Sequence, residues 1–246
     1  MSLRLEFVPI TRLSENEIVQ MGRLRYRNMP PLRNRSLERD TEQFRSSLRD
    51  FLVAGLARSK DGDIEGFLLF SSRLREWKGR FWLWLHGEDA TMDAHHRGAR
   101  ILDEMAFRIA LTSRLRHPLT PIFGISMIFP PAYLKIRACG PAYAWGQPDL
   151  PEWHRGLLDY MIPEVVENRP VCYEERIVQL SVTSESEPPP RFRDPRRRLW
   201  MQEYEKLAPD WREGRVPIIL YPISVRAMTT AALRARLNGF KLFRGS

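Results

Sequence analysis

Residues 84–110 read WLHGEDATMDAHHRGARILDEMAFRIA, and the fold turns on how this stretch divides. The aromatic run RFWLWL at 80–85 has strand character and continues through Met92. From 100 to 114 the apolar residues Ile101, Leu102, Met105, Ala106 and Ile109 recur at helical spacing, which predicts an amphipathic helix of about four turns. Between the two lies a polar turn, DAHHRGAR at 93–100. A helix that begins just after such a turn leaves its first backbone N–H groups without helical partners. Those groups and the helix dipole together attract an anion without any charged side chain.

Upstream, residues 3–10 alternate as a first strand, and Ser14 with Glu17 three positions on forms a capping box for a helix that Met29-Pro30-Pro31 ends. A polar stretch at 33–49 precedes a strand at 51–57. Lys60-Asp61-Gly62-Asp63 then supplies hairpin chemistry before a strand at 64–71. Downstream, the pattern predicts a buried strand at 121–129, a proline-started helix at 131–139, a helix at 156–168 and a long strand at 173–183. A Ser/Glu/Pro/Arg loop at 184–198, a helix at 199–207, a strand at 216–223 and a last helix at 224–237 complete the chain. Strands and helices mixed in this order make an α+β protein. The expected division is a core at 1–150 and an extension at 151–246 that completes the sheet within the same domain.

Composition narrows the classes. The chain has 246 residues, 43% of them hydrophobic and 28% charged, which excludes a disordered chain, a fibre and a disulfide-stapled miniprotein. Two cysteines, Cys139 and Cys172, make no disulfide framework. With no run of 18 apolar residues and no secretory pattern at the start, the expectation is a cytoplasmic protein with no membrane partner. The net charge of +9 comes from five lysines and thirty-four arginines, and a basic surface favours anionic partners. Its one dense basic cluster, RFRDPRRR at 191–198, reads first as a solvated loop. A nucleic-acid role for it is the less favoured reading.

The order strand, helix, antiparallel hairpin, strand, helix, strand, helix over residues 3–139 resembles the GNAT superfamily of acyl-CoA N-acyltransferases. The resemblance implies a mixed, mostly antiparallel central sheet flanked by helices, here with an elaborated C-terminal half. In that family the strand before the helix hydrogen-bonds the pantetheine arm of the donor, which maps to Ala90, Thr91 and Met92. A loop of pattern Gln/Arg-x-x-Gly-x-Gly/Ala then cradles the pyrophosphate. Started at His95, the pattern finds Gly98 but meets Arg100. Started at Arg97, it meets Arg100 and Leu102 in place of both small residues. Helix phase selects Arg97, because the family's core positions then fall on Ile101, Met105 and Ile109, whereas a start at His95 puts them on Asp103 and Phe107. The donor site implied is therefore Arg97, Gly98, Ala99, Arg100, Ile101 and Leu102, with Arg100 offsetting the lost glycine by pairing with phosphate.

The same resemblance implies a carboxylate base on the strand, for which Glu88 and its neighbour Asp89 are placed, and a tyrosine that protonates the leaving thiolate. Counting back from Gly140 puts Ile136 in the tyrosine's place. Tyr133 one turn earlier is the substitute, ahead of Tyr143, and the plainer reading of both is packing. Leu24-Arg25-Tyr26-Arg27 followed by Glu38-Arg39-Asp40 is also similar to the entry of acyl-homoserine-lactone synthases and N-acyl amino acid synthases. These take acyl groups from acyl carrier protein, an acidic partner suited to a basic face. The implied donor is thus an acyl-CoA or acyl carrier protein thioester, and the acceptor a small-molecule or protein amine shaped by the loops at 33–49 and 184–198. Spacing of His86, His95 and His96 matches no metal site, so no metal is expected. Trp82 and Trp84 share a strand face, which suits core packing or an apolar acyl pocket. Because both small residues of the loop are replaced, a non-catalytic binding module of the same fold is the alternative function.

Overall fold

The computed structural model describes residues 3–28, 36–96, 101–166, 169–180 and 194–237. After β1 (Arg4–Pro9), the backbone N–H of Ser14 donates to Glu17 Oε2 at 2.7 Å and the Glu17 N–H donates to Ser14 Oγ at 3.3 Å. This reciprocal pair opens α1 (Glu15–Asn28) as the sequence predicts. Burial alone would raise the Glu17 carboxyl, but hydrogen bonds from Ser14 and Arg58 overcome it and hold its pKa below the ordinary range. Stability from this contact is therefore present above pH ~4.5 and is lost as pH falls through the lower native value. Ser14→Ala is expected to cost about 1 kcal/mol at pH 7. The penalty should shrink in acid, which urea titrations at pH 7 and pH 3 measure.

The stretch at 33–49 is not merely polar. Ser36 accepts a bond from the Arg39 N–H at 3.3 Å and opens α2 (Leu37–Ser47), which buries Asp40 and Phe44. Its single aromatic on an otherwise charged helix concealed it from periodicity. The chain continues through β2 (Val53–Arg58), β3 (Ile64–Trp77), β4 (Arg80–Met92), α3 (Ile101–Arg116), β5 (Ile122–Met127), α4 (Pro130–Cys139), β6 (Tyr143–Ala144) and α5 (Glu152–Val166). There follow β7 (Val171–Cys172), β8 (Ile177–Gln179), α6 (Pro195–Leu207), β9 (Arg215–Pro222) and α7 (Val225–Leu237). Of the strand expected at 173–183, residues 173–176 form the turn that joins β7 to β8, with Arg176 at φ +56°, residues 177–179 form β8, and 181–183 lie outside the described residues. Helix α6 starts four residues before the expected point. The Asp194 side chain caps the Arg196 N–H at 3.0 Å and Pro195 fits the first helical turn, so 195–198 belong to the helix rather than to a loop.

Two compact units share the chain, Met1–Arg73 with Leu85–Pro118 and Leu74–Trp84 with Leu119–Ser246. In the first, the strand order is β1, β2, β3, β4, with β1–β2 and β2–β3 antiparallel. Alternation along the strands sorts their side chains onto two faces. Ala54, Leu56, Phe67 and Leu69 pack with Met21, Leu24 and Phe44 of α1 and α2, whereas Ala57 and Leu68 pack with Met105 and Ile109 of α3. The buried pair Met105 and Ile109 is the helix phase read from the sequence. A Cβ on Gly22 would lie 2.9 Å from Thr41 Cγ2, so the small residue is what lets α1 approach α2.

In the second unit, β9 pairs antiparallel with β5, β6 and β8. Ile218 and Leu220 of β9 join Trp84, Phe123, Ile125 and the apolar face of α5 in one core. Ile219 joins Tyr133, Leu134, Met201, Tyr204 and Trp211 in another. The tip of the β3–β4 hairpin turns at Lys78 and Gly79, both at positive φ. It is held by Trp77 and Trp82 against Trp153 of α5, at ring separations of 6.2 and 5.2 Å, and by an ion pair of Arg75 with Glu164.

Candidate active site

The later half of β4 carries the candidate chemistry of the first unit. His86 is buried, 8% exposed, and its ring lies nearly parallel to that of Phe51, 5.9 Å away. Two residues on and on the same strand face, Glu88 places Oε2 3.1 Å from His86 Nε2 while a quarter of its side chain stays open to solvent. The next residue, Asp89, has φ +50° inside the strand. A non-glycine residue there carries roughly 1–3 kcal/mol of strain, which persists only where surrounding contacts impose it.

Those contacts come from Arg25. Its Nε donates to Asp89 Oδ1 at 3.1 Å and its Nη1 donates to Asp40 Oδ2 at 2.7 Å. Asp40 is 1% exposed, and Arg25 has little open surface of its own. Burial works against the Arg25 charge, but the carboxylates of Asp89 and Asp40 outweigh it and raise its pKa. Arg27 adds a looser pair to Asp93, at 3.7 Å. The LRYR segment thus sends two arginines to the end of β4. The sequence showed each of these charges, yet nothing in local spacing connects positions 25, 40 and 89.

The expected donor-binding residues have mixed surroundings. Ala90 is exposed and Thr91 is buried. The Met92 side chain lies over Gly66, where an added Cβ would meet Met92 Cε at 2.5 Å. The Asp93 N–H donates to the Glu65 carbonyl at 2.8 Å, so β3 continues alongside. Ile101 and Leu102, at the start of α3, pack onto the core around Met105. Asp103 and Glu104 occupy the first turn of the helix, where negative charge suits the dipole. Arg97, Gly98, Ala99 and Arg100 lie outside the described residues, as do 191–193 of the basic cluster.

Tyr133 belongs to the second unit. Its ring packs on Tyr204 at 5.3 Å, and Tyr204 donates to the Ile128 carbonyl at 2.6 Å. Burial raises the Tyr133 pKa against the opposing charge of Arg137, and its hydroxyl is bonded to Glu203. Tyr143 packs against His154, with ring centres 4.0 Å apart and the planes tilted by 41°. Trp84 is buried and donates its indole N–H to the Ile125 carbonyl at 3.2 Å, while Trp82 packs on Phe123 and Trp153. Both tryptophans therefore pack within the second unit. Among the described residues no cluster of His, Cys, Asp or Glu has metal-site geometry, and no helix is long and apolar enough to cross a membrane.

No family model matches the chain, and no curated protein matches it. Solved structures of similar architecture are acyl-CoA N-acyltransferases. A GNAT family N-acetyltransferase of Escherichia coli in complex with CoA is 12% identical, covers 93% of this chain and 86% of its own, and has a TM-score of 0.39. An acyl-CoA N-acyltransferase of Pseudomonas aeruginosa is 16% identical over 58% of this chain and 88% of its own, with a TM-score of 0.36. An acetyltransferase of Trypanosoma brucei is 21% identical over 45% of this chain and 75% of its own, with a TM-score of 0.34.

Proposed function

We propose that the chain is an N-acyltransferase that moves an acyl group from an acyl-CoA thioester to an amine. The observation that carries this reading is the end of β4. There a partly open carboxylate, Glu88, stands next to Asp89, whose positive φ is accompanied by bonds from Arg25, itself tied to Asp40. A held, strained residue beside a base is one way an active site keeps a strand segment in a single conformation for substrate binding. On this reading the backbone of Ala90, Thr91 and Met92 pairs with the pantetheine arm, and the segment from Arg97 to Leu102 holds the pyrophosphate. Glu88 takes the proton of the attacking amine as the C–N bond forms and the C–S bond breaks. Tyr133 can donate a proton to the leaving thiolate only if its hydroxyl leaves Glu203, so Glu88 is the stronger assignment.

Isothermal titration with acetyl-CoA, longer acyl-CoAs and an acyl-loaded carrier protein tests the donor. Saturable binding of an acyl-CoA is expected, tighter binding of the loaded carrier protein would move the donor class, and silence from all three overturns the reading. Glu88→Gln should keep donor binding and lower turnover by about 10²–10⁴-fold, as loss of a general base does.

A second reading, a binding module without turnover, is favoured by two observations. Arg100 and Leu102 replace the small residues of the phosphate loop, and Asp103 and Glu104 already offer the α3 dipole its negative charge. Donor binding with no thiol release from any amine would select it.

A further inference from the structure

We propose that His86 is a positioning residue that holds the proton Glu88 receives, so that the two act as one base; this rests on the reading of Glu88 as the group that meets the amine. Four observations carry it. His86 Nε2 is 3.1 Å from Glu88 Oε2, within hydrogen-bond distance. The imidazole is buried against Phe51 and cannot itself meet a substrate, whereas Glu88 is partly open. Both side chains stand on one face of β4 immediately before the positive-φ residue Asp89, so the pair and the proposed acyl site are fixed by the same strand. A free imidazole is roughly two pH units more basic than a free carboxylate, and the proton from a new ammonium needs the stronger acceptor.

The step balances. The amine nitrogen attacks the thioester carbon, the C–S bond breaks with its electron pair on sulfur, and the nitrogen's surplus proton passes to the Glu88 carboxylate. Once protonated, Glu88 donates across the 3.1 Å contact to the bare Nε2 of a His86 tautomer whose hydrogen is on Nδ1, and the proton passes to that nitrogen. The products are an amide, a thiolate, a carboxylate and an imidazolium. The imidazolium returns its proton to solvent and the thiolate takes one up. The charged groups on neighbouring segments come from several elements. Asp89 follows on β4, Arg25 of α1 pairs with it and with Asp40 of α2, and Arg73 of β3 donates to the Asp50 carbonyl at 3.4 Å, next in sequence to Phe51.

The test is the pH profile of kcat/KM, read as thiol release from acetyl-CoA with a panel of primary amines, for the wild type, His86→Asn and His86→Gln. His86→Asn, which bonds Glu88 but holds no proton, should lose about 10²-fold of kcat/KM, with donor KM unchanged, and His86→Gln should do the same. Ring nitrogen NMR of the native protein provides a readout without substitution of His86. The Nε2 and Nδ1 shifts of His86 should change when Glu88→Gln removes its carboxylate partner. Ring shifts that do not move, or a His86→Asn profile that superimposes on an active wild type, overturn this inference alone. A wild type that binds no thioester overturns the transferase reading instead.

Discussion

Arg25→Met should unfold the protein more readily than any other single change at the proposed site, at a cost of about 3–5 kcal/mol. The methionine retains the apolar stem but leaves Asp40 and Asp89 facing each other without the guanidinium that both of them accept bonds from. Asp40 is almost wholly enclosed, so water cannot replace the lost charge. Two comparisons isolate the cause. Arg25→Lys keeps one charge but cannot form the fork to two carboxylates, and should fall between wild type and Arg25→Met. Adding Asp40→Asn and Asp89→Asn to Arg25→Met should recover much of the loss, because the uncompensated charges are gone. Urea unfolding with donor titration on each variant is the measurement. A loss below about 1 kcal/mol for Arg25→Met would mean that the cluster is hydrated in solution.

The second large effect is expected within the other compact unit. Gly124 of β5 lies opposite Tyr221 of β9, and a Cβ there would fall 2.1 Å from Tyr221 Cζ and 2.4 Å from its hydroxyl oxygen. The tyrosine ring is partly buried against the core around Ile128 and Tyr204, so it must shift against that packing to make room. Gly124→Ala should cost about 3 kcal/mol, at the upper end of overpacking effects, and lower Tm by roughly 6–12 °C. In the Tyr221→Ala background the same change should cost little. That non-additivity is the signature of the ring contact rather than of glycine's backbone, and a thermal-unfolding double-mutant cycle reads it directly.

What the sequence made legible follows the range of the interactions involved. The capping box of Ser14 and Glu17, the hairpin at Asp61 and Gly62, and the phase of α3 at Met105 and Ile109 depend on residues three or four apart, and all three were readable. Helix α2 was missed because its buried face is one phenylalanine and one aspartate, a pattern that apolar periodicity does not register. The early start of α6 was written in Asp194-Pro195 but lay hidden in a run of arginines. At the proposed site, Glu88 is named because the resemblance marks a carboxylate on that strand. His86 is considered for metal and set aside as an ordinary histidine, because its relation to Glu88 depends on strand geometry. The partnership of Arg25, Asp40 and Asp89 spans sixty-four residues, and only the folded chain reveals it.

The hairpin tip has a consequence during synthesis. Trp77 and Trp82 leave the ribosome well before Trp153 and Glu164, the residues that shelter them and pair with Arg75. At ordinary elongation rates the some seventy intervening residues take about 4–14 s. Throughout that interval the growing chain displays two indoles on an unpartnered ribbon, a natural target for a chaperone. Translation speed across residues 83–153 therefore bears on the yield of native protein more than speed anywhere after α5 is complete.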